Sequence, residues 1–303
     1  MNILLTGSTG LIGRALTAHL AIQGHNIFPL HRNPASEKKH YWFPDENRIH
    51  LDDEIKLDAV IHLAGENIAD SRWSRKKKDR ILNSRVHGTR LLTEAITELT
   101  PKPGLLISGS AIGYYGDTGD NTVDEDSNRG TGFLSDVASQ WESATQAAED
   151  AGIRTIHIRT GIVLSPDGGV LQKMLFPFNM GLGGVVGNSR QYMSWISIND
   201  VVRIIEHMLN NEKLSGPYNL VAPQPVTNYT FTKSLGRALQ RPTISPLPAF
   251  AARMMFGEMA DALLLSSSRV AATRLNALGY TFVDNELDQT LSRLLDNKSD
   301  HKN

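Results

Sequence analysis

The sequence predicts an α/β protein: a doubly wound parallel sheet carrying a small, mostly helical C-terminal lobe. Three observations predict it. Short apolar runs alternate with longer amphipathic ones along most of the chain. Several of these runs are nearly unbroken Ile, Leu, Val and Ala, the composition of strands covered on both faces. Beyond residue 221 the pattern turns largely helical, punctuated by Pro223, Pro225, Pro242, Pro246 and Pro248.

Taken in order, Asn2–Thr6 reads as the first strand, Leu11–Gln23 as a helix and Asn26–Leu30 as the second strand. Arg48–Asp52 and Asp58–Leu63 read as the third and fourth strands, followed by a helix over Lys76–Leu99. Gly104–Ser108 is the fifth strand, Phe133–Ala151 a helix and Arg154–Arg159 the sixth strand. A helix over Asn199–Asn210 then leads to a seventh strand at Pro217–Val221. The first, fourth, fifth and sixth strands are the continuously apolar ones. Ser165–Trp195, rich in Gly and Phe, leaves this rhythm. Residues 1–164, completed by 195–221, therefore form the core. Residues 165–194 and 222–303 form one small lobe over the C-terminal edge of the strands, where open α/β sheets bind ligands. The polar tail from Asn297 is expected to fray.

Composition narrows the function classes. A net charge of −1 offers no field for nucleic acid or an anionic membrane surface, so the expected partner is a small-molecule substrate. The one basic run, Arg75–Lys78, opens a helix that also holds Asp79, Arg80 and Arg85, which reads as a solvated helix face. There are no cysteines, hence no disulfide, thiolate metal site or cysteine nucleophile, in keeping with a reducing cytoplasm. The N-terminus has no basic leader and runs straight into a glycine-rich turn, so it reads as a strand and not a signal peptide. No apolar stretch approaches the ~20 residues of a membrane span. The 10 His residues show no H-E-x-x-H or comparable spacing, so no metal is expected, and Gly-x-Ser-x-Gly is absent. An oligomer is compatible with all of this.

The turn Thr6-Gly7-Ser8-Thr9-Gly10-Leu11-Ile12-Gly13 lies between the first strand and the first helix. Its GxxGxxG spacing has a mechanism. Gly7 allows the tight turn, Gly10 lets backbone approach a pyrophosphate, and Gly13 lets the helix pack closely, with the helix N-terminus aimed at the phosphates. Gly7, Ser8, Thr9, Gly10, Leu11 and Ile12 are the expected phosphate-side residues of a Rossmann-type dinucleotide site. The second strand ends in His31-Arg32, with no acid before Glu37. An NAD site would place a carboxylate here for the ribose 2′-OH, whereas the planar guanidinium of Arg32 suits a 2′-phosphate. The expected cofactor is NADP. At the fourth strand's tip, Leu63, Ala64 and Gly65 are small enough to let adenosine and ribose lie on the backbone, though close packing would also explain them.

These residues resemble the extended, epimerase-like branch of the short-chain dehydrogenase/reductase superfamily. GxxGxxG, His62-Leu63-Ala64-Gly65, Gly88-Thr89 before Leu91-Leu92, Ser108-Gly109-Ser110 before Tyr115-Gly116-Asp117, and Trp195–Val202 occur in that branch's order. More narrowly, Gly65-Glu66-Asn67-Ile68, Ala111–Gly116 and Pro177-Phe178 leading to Gly181–Gly184 are similar to its atypical "epimerase family" members. The resemblance covers residues 1–221. It implies a Rossmann fold, NAD(P) binding, and oxidoreductase or epimerase chemistry on a small, sugar-like molecule. It also implies a Tyr general acid/base, a Lys four residues later and a Ser or Thr on the reacting oxygen. Ser110 falls at the Ser position, but Leu134 and Ala138 stand where Tyr and Lys belong, and neither moves a proton. Arg85, in place of the branch's Asn, is expected to meet a cofactor phosphate or a substrate carboxylate near the vacated Lys position, and Arg159 has a similar opportunity from the sixth strand. Either arginine could instead pair with a local acid. Tyr114, Tyr115, Asp117, Glu66 and Asp136 are candidate replacement acids, Tyr114 or Tyr115 foremost, because a phenol holds its proton at neutral pH. An aromatic wall is the alternative for the tyrosines. Trp195 and Phe178 either shape a substrate cleft or simply pack. Two functions fit: an NADP(H)-dependent enzyme with an altered proton relay, or a non-catalytic NADP(H)-binding sensor or interaction protein.

Overall fold

A computed structural model describes residues 1–32, 40–52 and 54–296; the tail from Asn297 and the stretch holding Glu37 lie outside them. The chain runs β1 (Asn2–Thr6), α1 (Leu11–Ile22), β2 (Asn26–Pro29), β3 (Tyr41–Phe43), β4 (Arg48–His50), β5 (Ala59–His62), α2 (Arg75–Thr97) and β6 (Leu105–Ala111). Then come α3 (Phe133–Ser143), α4 (Gln146–Asp150), β7 (Arg154–Thr160), β8 (Ile162–Leu164), α5 (Gly169–Asn179), β9 (Tyr192–Met193), β10 (Trp195–Ser197) and α6 (Ile198–Leu209). The last third holds β11 (Gly216–Leu220), β12 (Val226–Thr227), α7 (Asn228–Leu239), α8 (Ala249–Phe256), α9 (Glu258–Ala260), α10 (Thr273–Ala277) and α11 (Leu287–Asp296).

Six parallel strands form the main sheet in the order β11-β7-β6-β5-β1-β2. Side-chain alternation explains the two covers. Leu4, Val60 and Leu106 point to one face, against Leu91, Leu92 and Ile96 of α2. Ile3, Leu5, Ile61, Ile107 and Ile158 point to the other, against Val201, Ile204 and Ile205 of α6. The chain leaves β1 for β2 and then returns across β1 to β5, so the topology reverses between β1 and β5. Ligands of open α/β sheets bind in such a crevice.

Two sequence expectations need correction. Arg48–Asp52 is not a strand of the parallel sheet: β4 pairs antiparallel with β3, and β3 meets the end of β2 only through the His31–Tyr41 bridge. Arg48 and His50 are exposed around a half-buried Ile49, a one-sided pattern that cannot be covered on both faces. Its partner strand supplies the burial instead, through Trp42 against Gly88 of α2. The helix expected over Phe133–Ala151 breaks into α3 and α4, because the Thr145 hydroxyl bonds back to the Glu142 carbonyl (2.7 Å) and to His157 Nε2 (2.8 Å).

Segments 165–194 and 222–296 interlock. Tyr192 and Met193 pair with Thr227 and Val226, and Gly183–Gly187 runs beside Ser245–Leu247 through backbone bonds of 2.8–3.3 Å. Leu171, Leu175 and Phe178 of α5 share a core with Trp195, Phe231, Leu291 and Leu294. Both Phe178 and Trp195 are therefore packing residues. No helix among the described residues is long and apolar enough to cross a membrane.

Candidate cofactor and active site

The glycine turn is built as the spacing requires, with one change of emphasis. Gly7 has φ +70°, and a Cβ there would lie 2.8–2.9 Å from the backbone of Leu63 and Ala64. A Cβ on Gly13 would lie 2.1 Å from the Gly7 carbonyl oxygen and 2.8 Å from Ser8 Cα, so Gly13 fits the helix to the turn itself, not to the sheet. Gly10 is exposed and meets only the Gly7 oxygen, at 3.2 Å. It caps α1 without a side-chain bond, and the first turn of α1 holds no acid. The N–H groups of that turn keep their donor capacity and their partial positive charge, in the arrangement that binds phosphate. Leu11 and Ile12 pack against the buried cluster that includes residues of α5, α7 and α11, Ser8 is half-buried and Thr9 is exposed.

Across the crevice, a buried polar chain fixes β5 to β1. Thr6 Oγ1 accepts from the Leu63 and Ala64 amides (both 3.1 Å) and bonds His62 Nδ1 (2.7 Å), while His62 Nε2 bonds Thr89 on α2 (3.0 Å). Burial, helped by the nearby Arg85 charge, lowers the His62 pKa to about 3, so the ring is neutral at physiological pH. Gly65, the next tip residue, is exposed; the guanidinium of Arg85 lies 3.1–3.3 Å from where its Cβ would be. Arg85 is also stacked over the Trp141 ring at 5.0 Å, and burial lowers its pKa to about 10, with Glu66 opposing. Arg32 is exposed at the tip of β2, beyond His31, whose carbonyl accepts from the Trp42 amide (2.8 Å).

At the β6–β7 end the polar groups satisfy one another. Ser110 donates to Glu142 Oε1 (2.6 Å), and Arg159 grips both oxygens of Glu142 through Nε and Nη2 (2.8 Å each). Arg159 Nη1 donates to the Tyr115 hydroxyl (2.9 Å), which donates to Asn219 Oδ1 (2.8 Å). Arg159 and Ser110 are 4% and 5% exposed. Burial raises the Glu142 pKa, but its bonds from Arg159 and Ser110 outweigh it and hold the carboxyl below the usual range. Burial pushes the Tyr115 phenol up to about 12. Tyr114 lies with its ring 3.6 Å under the Arg159 guanidinium. Leu134 covers Gly113, and Ala138 is buried.

Most other candidate acids are engaged locally. Asp117 accepts from the Gly119 and Ser267 amides, Asp136 pairs with Arg129, and Glu66 pairs with Lys77 and Arg80. The Arg75–Lys78 run is not simply a solvated face: Lys77 is 2% exposed between Glu66 and Asp70, and Lys78 pairs with Glu258 of α9. Glu142 escaped the sequence reading, although its place four residues beyond Ala138 puts it on the same helix face. Among the described residues, no group of His, Asp or Glu is arranged to hold a metal.

Residues 3–220 match the NAD dependent epimerase/dehydratase family, and residues 247–294 match a domain of unknown function, DUF1731. The chain belongs to the NAD-dependent epimerase/dehydratase family. Its relatives include epimerase family protein Mb2239 of Mycobacterium bovis, 42% identical over 95% of this chain and 96% of that one. The crystal structure of human epimerase family protein SDR39U1 (isoform2) with NADPH superposes with a TM-score of 0.90 at 34% identity, covering 98% of this chain and 100% of that one. A nucleoside-diphosphate sugar epimerase from Corynebacterium glutamicum gives 0.80 at 35% identity; the match covers 97% of this chain and 58% of that one. This epimerase-family member thus extends beyond its family segment into a helical C-terminal region with a family match of its own.

Proposed function

We propose that this protein binds NADP(H) in the β1/β5 crevice and uses it as an oxidoreductase or epimerase on a small, sugar-like molecule. The observation that carries the reading is the uncapped N-terminus of α1 behind an exposed Gly10, at the point where the sheet topology reverses. In this reading the backbone from Gly7 to Ile12 holds the pyrophosphate, and Leu63, Ala64 and Gly65 carry adenosine and ribose. Arg32, beside His31, takes the 2′-phosphate. The NADPH in the human relative supports the choice of cofactor. When bound, NADPH supplies hydride to an acceptor carbon. This chain's own residues position the cofactor and exclude water, and the phenol of Tyr114 is the proton donor in this reading.

One observation favours a second reading, a non-catalytic NADP(H)-binding protein. Leu134 and Ala138 carry no titratable group, and Ser110 and Arg159 are spent on Glu142. Titration of NADPH and NADH against the wild type and Arg32→Asp tests the cofactor assignment. NADPH is expected to bind more tightly, and the variant to lose about tenfold or more for NADPH with little change for NADH. Wild-type preference for NADH, or equal losses, would remove it.

A further inference from the structure

Arg85 is a half-buried cation that the fold leaves without an acid. Its Nη1 donates to the carbonyls of Glu66 (3.0 Å) and Ile81 (3.2 Å), and Nε and Nη2 have no hydrogen-bond partner among the described residues. Glu66 turns its carboxylate to Lys77 and Arg80, and Glu142 is committed to Arg159. Taking a charge out of water is costly unless an opposite charge meets it. Here the guanidinium lies between the Gly65 backbone and the Trp141 ring. Gly65 has no side chain to lie over it, and the Trp141 ring supports it at 5.0 Å. Gly65 is exposed and Arg85 partly so, which sets the guanidinium just beneath the crevice surface.

The cofactor's own phosphates are placed elsewhere. Gly7 abuts Leu63 and Ala64 from the α1 side, whereas Arg85 reaches Gly65 from α2, on the opposite face of the sheet. Arg32 ends β2, two strands away from β5, while Ser110 is on β6, the strand next to β5. A dinucleotide lying across the crevice from Arg32 would therefore bring its nicotinamide, and the substrate, toward Arg85. The size of the charge limits the ligand. Lys77, Arg80 and Arg159 are each paired with carboxylates, and Arg85 itself offers one unit of positive charge on a planar group. A planar monoanion matches that edge-on; a diphosphate would need a second cation.

We propose that Arg85 is a substrate-binding residue and that the small, sugar-like substrate carries a carboxylate, which Arg85 takes through Nε and Nη2. This rests on the cofactor reading above, which the NADPH titration of the wild type tests separately. The experiment is calorimetry on the NADP-loaded protein with acetate, pyruvate and benzoate, with inorganic phosphate as contrast. At least one carboxylate is expected to bind saturably and more tightly than phosphate. Arg85→Gln should weaken it about tenfold or more while NADPH affinity stays within about threefold, the loss of one charge-assisted pair. Arg85→Lys, which keeps the charge without the fork, should fall between the two, and its binding gives a readout even where the glutamine variant folds poorly. No carboxylate binding to the loaded wild type would overturn the proposal. So would equal binding to wild type and Arg85→Gln, tighter binding of phosphate, or a tenfold loss of NADPH affinity in either variant.

Discussion

The two ends of the crevice treat their polar groups in opposite ways. At the α1 end the fold leaves donors unspent: the helix has no capping side chain, no acid in its first turn and an exposed glycine in front. At the β6–β7 end Ser110, Glu142, Arg159, Tyr115 and Asn219 spend their polar groups on one another in one buried chain. Unsatisfied backbone donors at a surface are what a ligand can use; a satisfied buried network is what a protein uses to hold its own strands. The comparison separates a residue type from its role. Arg159 and Ser110 carry the right chemistry for catalysis, yet their contacts bind α3 to the sheet.

The largest effect should come from the turn itself. Gly13→Ala puts a methyl 2.1 Å from the Gly7 carbonyl oxygen, with backbone on both sides and no flexible atom to move. Loss of the turn, with thermal unfolding lowered by many degrees and no measurable NADPH binding, is expected. Gly10→Val is the contrast: its first atom meets only the Gly7 oxygen at 3.2 Å, so the fold survives while NADPH affinity drops by about tenfold or more. If calorimetry and titration ranked the two variants the other way, the division between folding and binding glycines would be wrong.

Next in size is the buried ion pair. Glu142→Ala leaves Arg159 buried against Tyr115 with no anion, a change that costs about 3–5 kcal/mol of stability in urea titrations. Ser110→Ala removes one hydrogen bond and should cost about 1 kcal/mol. A Glu142 variant as stable as wild type would show that the network is not what holds α3 to β7.

A smaller effect is set by pH. The folded chain keeps His62 neutral, with a pKa of about 3, while the unfolded chain takes up that proton below about 6.5. The unfolded state then binds more protons, so the stability present above 6.5 is lost as pH falls, at up to ~1.4 kcal/mol per unit for this one group. His157, also lowered by burial, acts in the same direction. Glu142, with its pKa depressed, contributes stability that is lost only below about 4.5. His62→Asn should therefore flatten the slope between pH 6 and pH 5 by about one proton relative to wild type. An unchanged slope would mean that His62 is protonated in the fold.

How much of this was legible in the sequence follows from the range of each interaction. The glycine turn is local, and its spacing alone located the crevice. Continuous apolar runs located β1, β5, β6 and β7 because burial on both faces leaves no room for alternation. Arg48–Asp52 was misplaced because Ile49 and Leu51 alternate with polar residues, a pattern that fits several kinds of strand. Glu142 and Arg159 were invisible as a pair, being 17 residues apart on different elements, and the same holds for Thr6 with His62. Periodicity places a side chain on a face but does not name its partner across the core.

The smallest expected effect tests whether any chemistry survives at the satisfied end. Tyr115 is occupied on both sides of its hydroxyl and its phenol is pushed up to about 12, so Tyr115→Phe should cost about 2 kcal/mol of stability through two lost bonds. The Tyr114 ring packs on Arg159 and on the Tyr115 ring, and Tyr114→Phe keeps those ring contacts, so stability should change by less than ~0.5 kcal/mol. That insensitivity makes it a clean probe of catalysis. Assayed against carbonyl compounds with saturating NADPH, the wild type is expected to turn over far below about 1 per second on simple ketones, since Leu134 and Ala138 move no proton. Any turnover found on a better substrate should vanish in Tyr114→Phe and persist in Tyr115→Phe. Loss in Tyr115→Phe alone would put the proton donor inside the buried chain and erase the distinction between the two ends. Activity unchanged in both variants would remove the tyrosines from the mechanism altogether.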